Sequence, residues 1–364
     1  MQIDIIAGAR PNFMKIAPII RAIAARAEHG VDIDYRLVHT GQHYDESLSG
    51  AFFKQLEIPN PDINLGVGSG SQAEQTGQIM LGYERALADC RPDLCLVVGD
   101  VTSTMACSVV AQKQGVPVAH VEAGIRSGDW SMPEEINRLV TDAVSNWFFA
   151  TSRYACENLR NAGVDVERIF LVGNTMIDTL IHQMPNFKTP NCWDRLALRA
   201  RKYLMLTLHR PSNVDDPKKL QTLLARILSE TSPLPVVFPA HPRTQATINV
   251  ISGLSDRLYI IEPQPYLEFN YLVQNALGVI TDSGGITEET TFMGIPCLTI
   301  RDTTERPETV EIGTNILGGN EPDGLGSHLR ALAAGEWKTG GIPEYWDGKT
   351  AERIVSKIES IFSS

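Results

Sequence analysis

Apolar positions along this chain follow two alternating patterns. Short β-branched runs recur in the first half as IDIIAG (3–8), DYRLVHTG (34–41), LCLVVGD (94–100), PVAHVEAG (117–124), WFFATS (147–152) and IFLVGN (169–174). They recur in the second as LMLTLH (204–209), PVVFPAH (235–241), LYIIEP (258–263), GVITDSG (278–284) and PCLTIRD (296–302). Between them lie stretches of helical period such as NFMKIAPIIRAIAARA (12–27), SQAEQTGQIMLGYERALADC (71–90) and PEEINRLVTDAVSN (133–146). Strands alternating with helices predict an α/β fold with parallel sheets covered by helices on both faces, and there are strands enough for two such sheets.

The boundary is expected within LVGNTMIDTLIHQMPNFKTPNCWDRL (171–196), where a strand and helix give way to a stretch rich in Pro and Asn before a new strand series opens at Tyr203. It is set at 172/173, giving domains 1–172 and 173–348. A final helical pattern, KTAERIVSKIESIF, occupies residues 349–362 of the terminal segment 349–364.

Length supports two domains, since 364 residues exceed the size at which one core stops growing. No apolar run approaches bilayer-spanning length, and MQIDIIAGARPNF lacks the basic start of a secretory signal, so a cytoplasmic protein without a membrane partner is expected. The net charge of -11 argues against a nucleic-acid surface while leaving room for a local basic pocket. Six cysteines are scattered singly, without metal-ligand spacing, and read as reduced, buried small hydrophobes.

In doubly wound sheets, ligands gather beyond the carboxyl ends of the strands, and polar residues cluster there in this chain. Gly8 and Arg10 follow the first run, Asp100 the third, Glu122 and Arg126 the fourth, His209 and Arg210 the seventh, and Ser283 the tenth. Arg10 can grip a diphosphate bidentately. In TDSGGITEETTFMGIP (281–296), Gly284 and Gly285 fall between a strand and a helix, where backbone N–H groups can receive a phosphate oxygen and Ser283 a further bond; a ligand-free tight turn fits the same residues. Glu288 and Glu289 read first as solvated first-turn residues stabilising the helix dipole, with one of them facing a ribose diol as the sharper alternative. His209 suits phosphate donation, proton transfer or a core position, and Arg306 a ligand clamp or a loop salt bridge.

Asp100, Glu122 and Glu134 form the catalytic candidate set, because converging carboxylates raise at least one pKa as acid/base chemistry requires. Asn137 and Arg138, three and four residues beyond Glu134, could position that carboxylate or contact a sugar. His120 could tune Glu122 or be a buried structural histidine. Lys15 reads by spacing as a helix-surface lysine, yet its place after Arg10 keeps it in the binding set. No HxxH, DxD or CxxC spacing supports a metal.

Nine segments, GARPNFMKIAPI, TGQHYD, VVGDVTST, HVEAGIRSGD, MPEEINR, LTLHRPSNVD, YLEFNYLVQNA, TDSGGITEETTFMGIP and RDTTERPETVEIGTNILGG, resemble in order the motifs of the UDP-N-acetylglucosamine 2-epimerase family of non-hydrolysing type. The resemblance covers almost the whole chain. It implies the glycosyltransferase-B architecture, two Rossmann-like domains facing a cleft with the C-terminal helix returning to the first. It implies elimination of UDP from UDP-N-acetylglucosamine to a 2-acetamidoglucal and re-addition after reprotonation on the other face at C2, in surface polysaccharide synthesis, with no metal or other cofactor. A homodimer is the expected assembly.

By motif, Asp100, Glu122 and Glu134 resemble the acid/base and intermediate-stabilising carboxylates, with His209 beside them. Arg10, His209, Ser283, Gly284, Gly285 and Arg306 resemble diphosphate ligands, Glu289 the ribose ligand and Phe269 a wall of the uracil pocket; Lys15 and Arg138 complete the substrate-binding set. The chain departs from the family pattern at Ser212, where glutamate is common, at Val101, where threonine is common, and in a short loop between Glu122 and Pro133. That loop resembles a branch with epimerases of 2,3-diacetamido uronic acid nucleotide sugars. Gln42 matches the first glutamine of an activator-binding segment, while Asp45 replaces the second. A hydrolysing epimerase releasing N-acetylmannosamine and UDP, and a UDP-sugar-binding protein or glycosyltransferase of the same architecture, are the rival expectations.

Overall fold

Strands buried on both faces need apolar residues at successive positions, and the sequence supplies them in LCLVV (94–98), of which every residue is buried. The computed structural model describes residues 1–41, 55–251 and 253–363. Gln42 and Asp45 lie outside the described residues. Two compact units are formed, Met1–His182 with Glu344–Ser364, and Gln183–Pro343.

In the first unit, β1 (Gln2–Ala7), β2 (Asp34–His39), β3 (Ile63–Asn64), β4 (Leu94–Val98), β5 (Val118–Ala123), β6 (Trp147–Ala150) and β7 (Ile169–Leu171) pair in parallel in the order β3-β2-β1-β4-β5-β6-β7. The second unit repeats the arrangement: β8 (Leu204–Thr207), β9 (Val236–Pro239), β10 (Leu258–Ile261), β11 (Gly278–Thr281), β12 (Cys297–Thr299) and β13 (Asn315–Leu317) pair in the order β10-β9-β8-β11-β12-β13. Each unit is therefore Rossmann-like. Strand order reverses between β1 and β4, and again between β8 and β11, the switch points where ligands of such sheets bind.

Two strands escaped the sequence pattern, β3 and β13. Both are short sheet edges interrupted by Asn, Ile63–Asn64 and Asn315–Leu317, whereas the equally short edge β7 is apolar throughout. Alternation along the second sheet divides its core in two: Leu204, Leu206, Val236, Phe238 and Ile280 face one helical layer, and Tyr203, Met205, Val237 and Val279 face the other. Five cysteines are buried as expected, whereas Cys90 is exposed. Among the described residues no helix is long and apolar enough to cross a membrane.

The unit limit differs from the 172/173 boundary because the helix Thr175–Gln183 is bonded into the first unit. Thr179 Oγ1 donates to the Met14 carbonyl at 2.5 Å, and Asp178 accepts from the N–H groups of Thr350 (3.2 Å) and Ala351 (2.8 Å). Asp178 thus caps the C-terminal helix Thr350–Phe362, which packs on the Arg10–Glu28 helix. Replacing Asp178 by Ala should lower stability by about 1–3 kcal/mol in urea titration. Asp178→Asn, which keeps an acceptor without the buried charge, should cost less; equal stability of the Ala variant and the wild type would remove the cap from the account.

Candidate active site

The first group of side chains forms at the carboxyl edge of β1, β4 and β5. Arg10 opens the helix Arg10–Glu28, and Asn12, buried two residues on, accepts from the N–H groups of Gly8 (3.3 Å) and Ala9 (3.1 Å) while donating to the Val98 carbonyl (2.8 Å). Asn12 therefore staples the β1 loop to the end of β4. One turn further, Lys15 Nζ donates to Glu122 Oε2 at 2.6 Å. Its side chain is only 12% exposed, so Lys15 is no helix-surface lysine: it is the counter-ion of a buried carboxylate.

Glu122 itself holds φ +67°, in a region L-residues with a side chain enter at a cost of about 1–2 kcal/mol. It stands where the β5–β6 register shifts between Val121 and Ala123, a bulge that re-aims the side chain. Strain of this kind gathers at functional positions. A Cβ on Gly99 would meet Lys15 Nζ at 2.9 Å and Glu122 Oε2 at 3.7 Å, so this ion pair lies against the peptide that precedes Asp100.

Asp100 shares a cation with Glu135. Arg138 donates to Asp100 Oδ2 from Nη2 (2.6 Å) and Nε (3.1 Å) and to Glu135 Oε2 from Nη1 (2.7 Å), and Asn137 Nδ2 donates to the Asp100 carbonyl at 2.9 Å. The expected mutual repulsion of the carboxylates is thus offset cation by cation. Arg138, expected in the substrate-binding set, is buried and orients Asp100. Glu135, absent from the sequence-derived set, also accepts from the Ser127 and Gly128 N–H groups (2.9 and 3.1 Å), fixing the short loop before Pro133. Burial acts to raise its carboxyl, but these bonds prevail and hold it below the usual range.

His120 proves to be the buried structural histidine. Its Nε2 donates to the Gly99 carbonyl at 2.9 Å, and Nδ1 lies 2.7 Å from Asp142. Asp142 in turn accepts from Gly124 N–H (3.1 Å) and pairs with Arg126 (2.7 Å). Burial would lift the Asp142 carboxyl, yet His120 and Arg126 hold it below its ordinary value. The carboxyl ends of β4 and β5 are thereby locked together around Glu122. Glu134 stands apart, exposed at the start of the helix Pro133–Val144 and lining a cavity of about 260 Å³ with Asn137, Thr102, Gln72 and Gln75.

The second group forms at the ends of β8 and β11. Asp282, fully buried, accepts from the N–H groups of His209 (3.1 Å) and Arg210 (3.0 Å) and from Asn213 Nδ2 (3.0 Å), and lies 2.7 Å from His209 Nδ1. These bonds outweigh burial and keep the Asp282 carboxyl below the usual range. The sequence set missed it, although it directly precedes Ser283. With its backbone and Nδ1 so held, the His209 ring remains 60% exposed.

Ser283 caps the helix Gly284–Met293 without a side-chain bond to it. A Cβ at Gly285 would meet nothing within 4 Å, and one at Gly284 only Glu305 Oε2 at 3.9 Å. Neither glycine has a positive φ, so neither the turn nor internal packing demands them. The bare N–H groups of this helix start are of the kind that can receive an anion. Glu288 and Glu289, expected to be solvated in one reading, are both buried. Glu288 pairs with Arg306, while Glu289 accepts from Tyr266 Oη (2.9 Å) and Asn270 Nδ2 (3.5 Å). Phe269 is half-buried against the apolar layer that includes Ile286.

Behind these residues Glu305 is gripped by Arg301 (2.8 and 2.7 Å), which overcomes burial and takes its carboxyl down to about 2. Glu308 is the opposite case. Both its oxygens are buried with no hydrogen-bond partner among the described residues, and burial, opposed by Arg306 and reinforced by Glu288, pushes its carboxyl up to about 7. A folded-state pKa raised above the unfolded value favours folding below about 4.5, and the advantage is lost as pH rises through 7. Ionised Glu308 therefore costs on the order of 3 kcal/mol. Glu308→Gln should raise the denaturation midpoint at pH 8 and leave it nearly unchanged at pH 5; an equal shift at both pH values would reject the buried-acid account.

The model of the family described as UDP-N-acetylglucosamine 2-epimerase matches residues 25–359. A UDP-N-acetylglucosamine 2-epimerase of Methanocaldococcus jannaschii is 39% identical over 98% of each chain, and a UDP-2,3-diacetamido-2,3-dideoxy-D-glucuronate 2-epimerase of Pseudomonas aeruginosa is 36% identical over 99% of this chain and 100% of its own. The crystal structure of the Methanocaldococcus jannaschii UDP-GlcNAc 2-epimerase in complex with UDP-GlcNAc and UDP has a TM-score of 0.86 at 38% identity, covering 99% of this chain and 100% of that one. With paired carboxylates at one switch point and a glycine-opened helix at the other, this chain belongs to the UDP-N-acetylglucosamine 2-epimerase family.

Proposed function

We propose that the protein interconverts UDP-N-acetylglucosamine and UDP-N-acetylmannosamine, for surface polysaccharide synthesis. A carboxylate takes the C2 proton as the C1–O bond to UDP breaks, leaving a C1=C2 double bond. A proton then reaches C2 from the opposite face while a β-phosphate oxygen of UDP re-forms the bond to C1. Asp100, Glu122 and Glu134 carry the proton work, and the expelled diphosphate is stabilised by cations and N–H dipoles from Arg10, His209, Ser283, Gly284, Gly285 and Arg306. Glu289 takes the ribose diol and Phe269 flanks the uracil.

The observation that supports this reading best is that Glu122 and Asp100 each stand at a strand end beside a cation, Lys15 at 2.6 Å and Arg138 at 2.6 Å. An active site that must hold basic carboxylates next to a departing dianion needs that neutralisation. The short loop before Pro133 and the Pseudomonas aeruginosa relative favour a second reading, the same chemistry on a UDP-2,3-diacetamido uronic acid sugar. We further place the protein in the cytoplasm as a homodimer, to which exposed Leu81 and Ile136 on the helices Gln72–Asp89 and Pro133–Val144 offer an apolar surface.

Proton NMR of the enzyme with each sugar nucleotide in deuterated water tests the proposal. Deuterium at C2 and a UDP-mannosamine product are expected from UDP-N-acetylglucosamine; exchange only with the diacetamido sugar would move the assignment to the second reading. Free sugar plus UDP would make it a hydrolase, and no exchange with either would reject the epimerase. Asp100→Asn and Glu134→Gln should each lower turnover by about 10²–10⁴ with UDP affinity nearly unchanged. Normal C2 exchange in both variants would remove them from the mechanism.

A further inference from the structure

The pair Tyr266 and Glu289 carries an assignment beyond the family motifs. Tyr266, buried at the start of the helix Tyr266–Asn275, donates its hydroxyl to Glu289 Oε1 at 2.9 Å, and Asn270, one turn along the same helix, donates to the same oxygen at 3.5 Å. Both donors converge on Oε1. The described residues give Oε2 no hydrogen-bond partner, and Oε2 is not among the buried, unsatisfied atoms. One oxygen of this carboxylate is pinned by the protein, and the other is available.

Position along the helix says for what. Gly285 and Glu289 are four residues apart on Gly284–Met293 and share a face, separated along the axis by about 6 Å. The face is open over Gly285, where an added Cβ would meet nothing within 4 Å. An anion seated on the helix start would have its next sugar ring about one turn away, level with Glu289.

We propose that Tyr266, assisted by Asn270, is a positioning residue that pins Glu289 Oε1 so that Oε2 is presented to the ribose diol of the nucleotide. The inference rests on the ribose role of Glu289 given above. Ionisation supports it: burial pushes the Glu289 carboxyl up to about 7, Glu288 pushes the same way, and the bonds from Tyr266 and Asn270 pull it back. Without these donors the carboxyl would hold its proton at neutral pH and lose acceptor strength toward a hydroxyl. A phenol is suited to the task because its own acidity is suppressed by burial beside Glu289, so it remains a donor.

Calorimetric titration of the full-length protein with UDP and with 2′-deoxyuridine 5′-diphosphate separates the claims. The wild type should bind UDP roughly ten- to a hundredfold tighter than the deoxy analogue, the range for a hydrogen bond to a charged group. Tyr266→Phe, which keeps the ring, should bring that ratio down toward one while leaving affinity for the deoxy analogue almost unchanged. Asn270→Ser should lower it by a smaller factor, and it serves as the independent variant if the Phe substitution impairs folding. A wild type with no preference would overturn the ribose role of Glu289 itself. A clear wild-type preference that both variants retain in full, even with weaker binding of both ligands, would overturn the positioning role alone.

Discussion

Parallel neighbours can be joined only by crossovers, so the strands of these two sheets deliver their carboxyl ends to loops along one edge of each sheet. That constraint places Gly8, Gly99, Glu122, His209 and Asp282 at or just past the strand ends, where side chains are not needed for the apolar core. It also sets an obligation, because polar loop ends abutting an apolar sheet must be bonded internally. The chain meets it with buried side chains that each join two strand ends: Asn12 joins β1 to β4, His120 with Asp142 joins β4 to β5, and Asp282 joins β8 to β11. The candidate ligand groups hang from these ties. Lys15 lies one turn beyond Asn12, Glu122 between His120 and Gly124, and the His209 ring and Ser283 on either side of Asp282.

The same ties explain what the sequence could and could not disclose. The strands were legible because burial on both faces leaves an apolar run that few other structures require, and strand-end glycines and charges mark where each run stops. β3 and β13 were not, since each has an Asn in place of an apolar residue and leaves no continuous apolar run of the kind that marks the equally short β7. The helix Thr102–Lys113 gives little helical signal because it is buried on most sides, with eight of its positions among the buried residues. Among site residues, Asp100, Glu122, His209 and Ser283 were legible from their place after a strand. Asp282 and Asn12 were not, because short polar residues at such turns cap or bridge in many proteins and only long-range contacts, such as Asn12 to Val98, reveal which ends they join.

Local pattern also misled in an instructive way at Lys15 and Arg138. Both sit on helices at positions that periodicity marks as solvent-facing or ligand-facing, yet each is buried against a carboxylate supplied from more than thirty residues away. No single-sequence period carries that information, because the partner's position depends on sheet register. The resemblance to a family supplied the identity of the set but not its wiring. Glu289 was separated from Glu288 by motif alone, and the structure gives the two different partners, Tyr266 with Asn270 and Arg306.

Those partners bring out two ways in which buried charge is treated. In the first unit each buried carboxylate of the site meets a cation or several donors, and Glu135 and Asp142 are both held below their ordinary range. In the second, Asp282 and Glu305 are held low in the same way, whereas Glu289 and Glu308, both nearly inaccessible, rise to about 7. Isolated from function, such acids only weaken the fold near neutral pH, since each proton given up exposes a buried charge with too little compensation. Apolar residues of similar volume would stabilise the helix Gly284–Met293 better. Under the proposed function, an acceptor beside a glycine-opened helix start has a use that an apolar residue has not: it receives hydroxyl donors from a nucleotide whose phosphates lie at that helix start. On the same reading, Glu289 gives up stability near neutral pH for acceptor strength along the face where its helix is bare, whereas the carboxylates held low are neutralised in place.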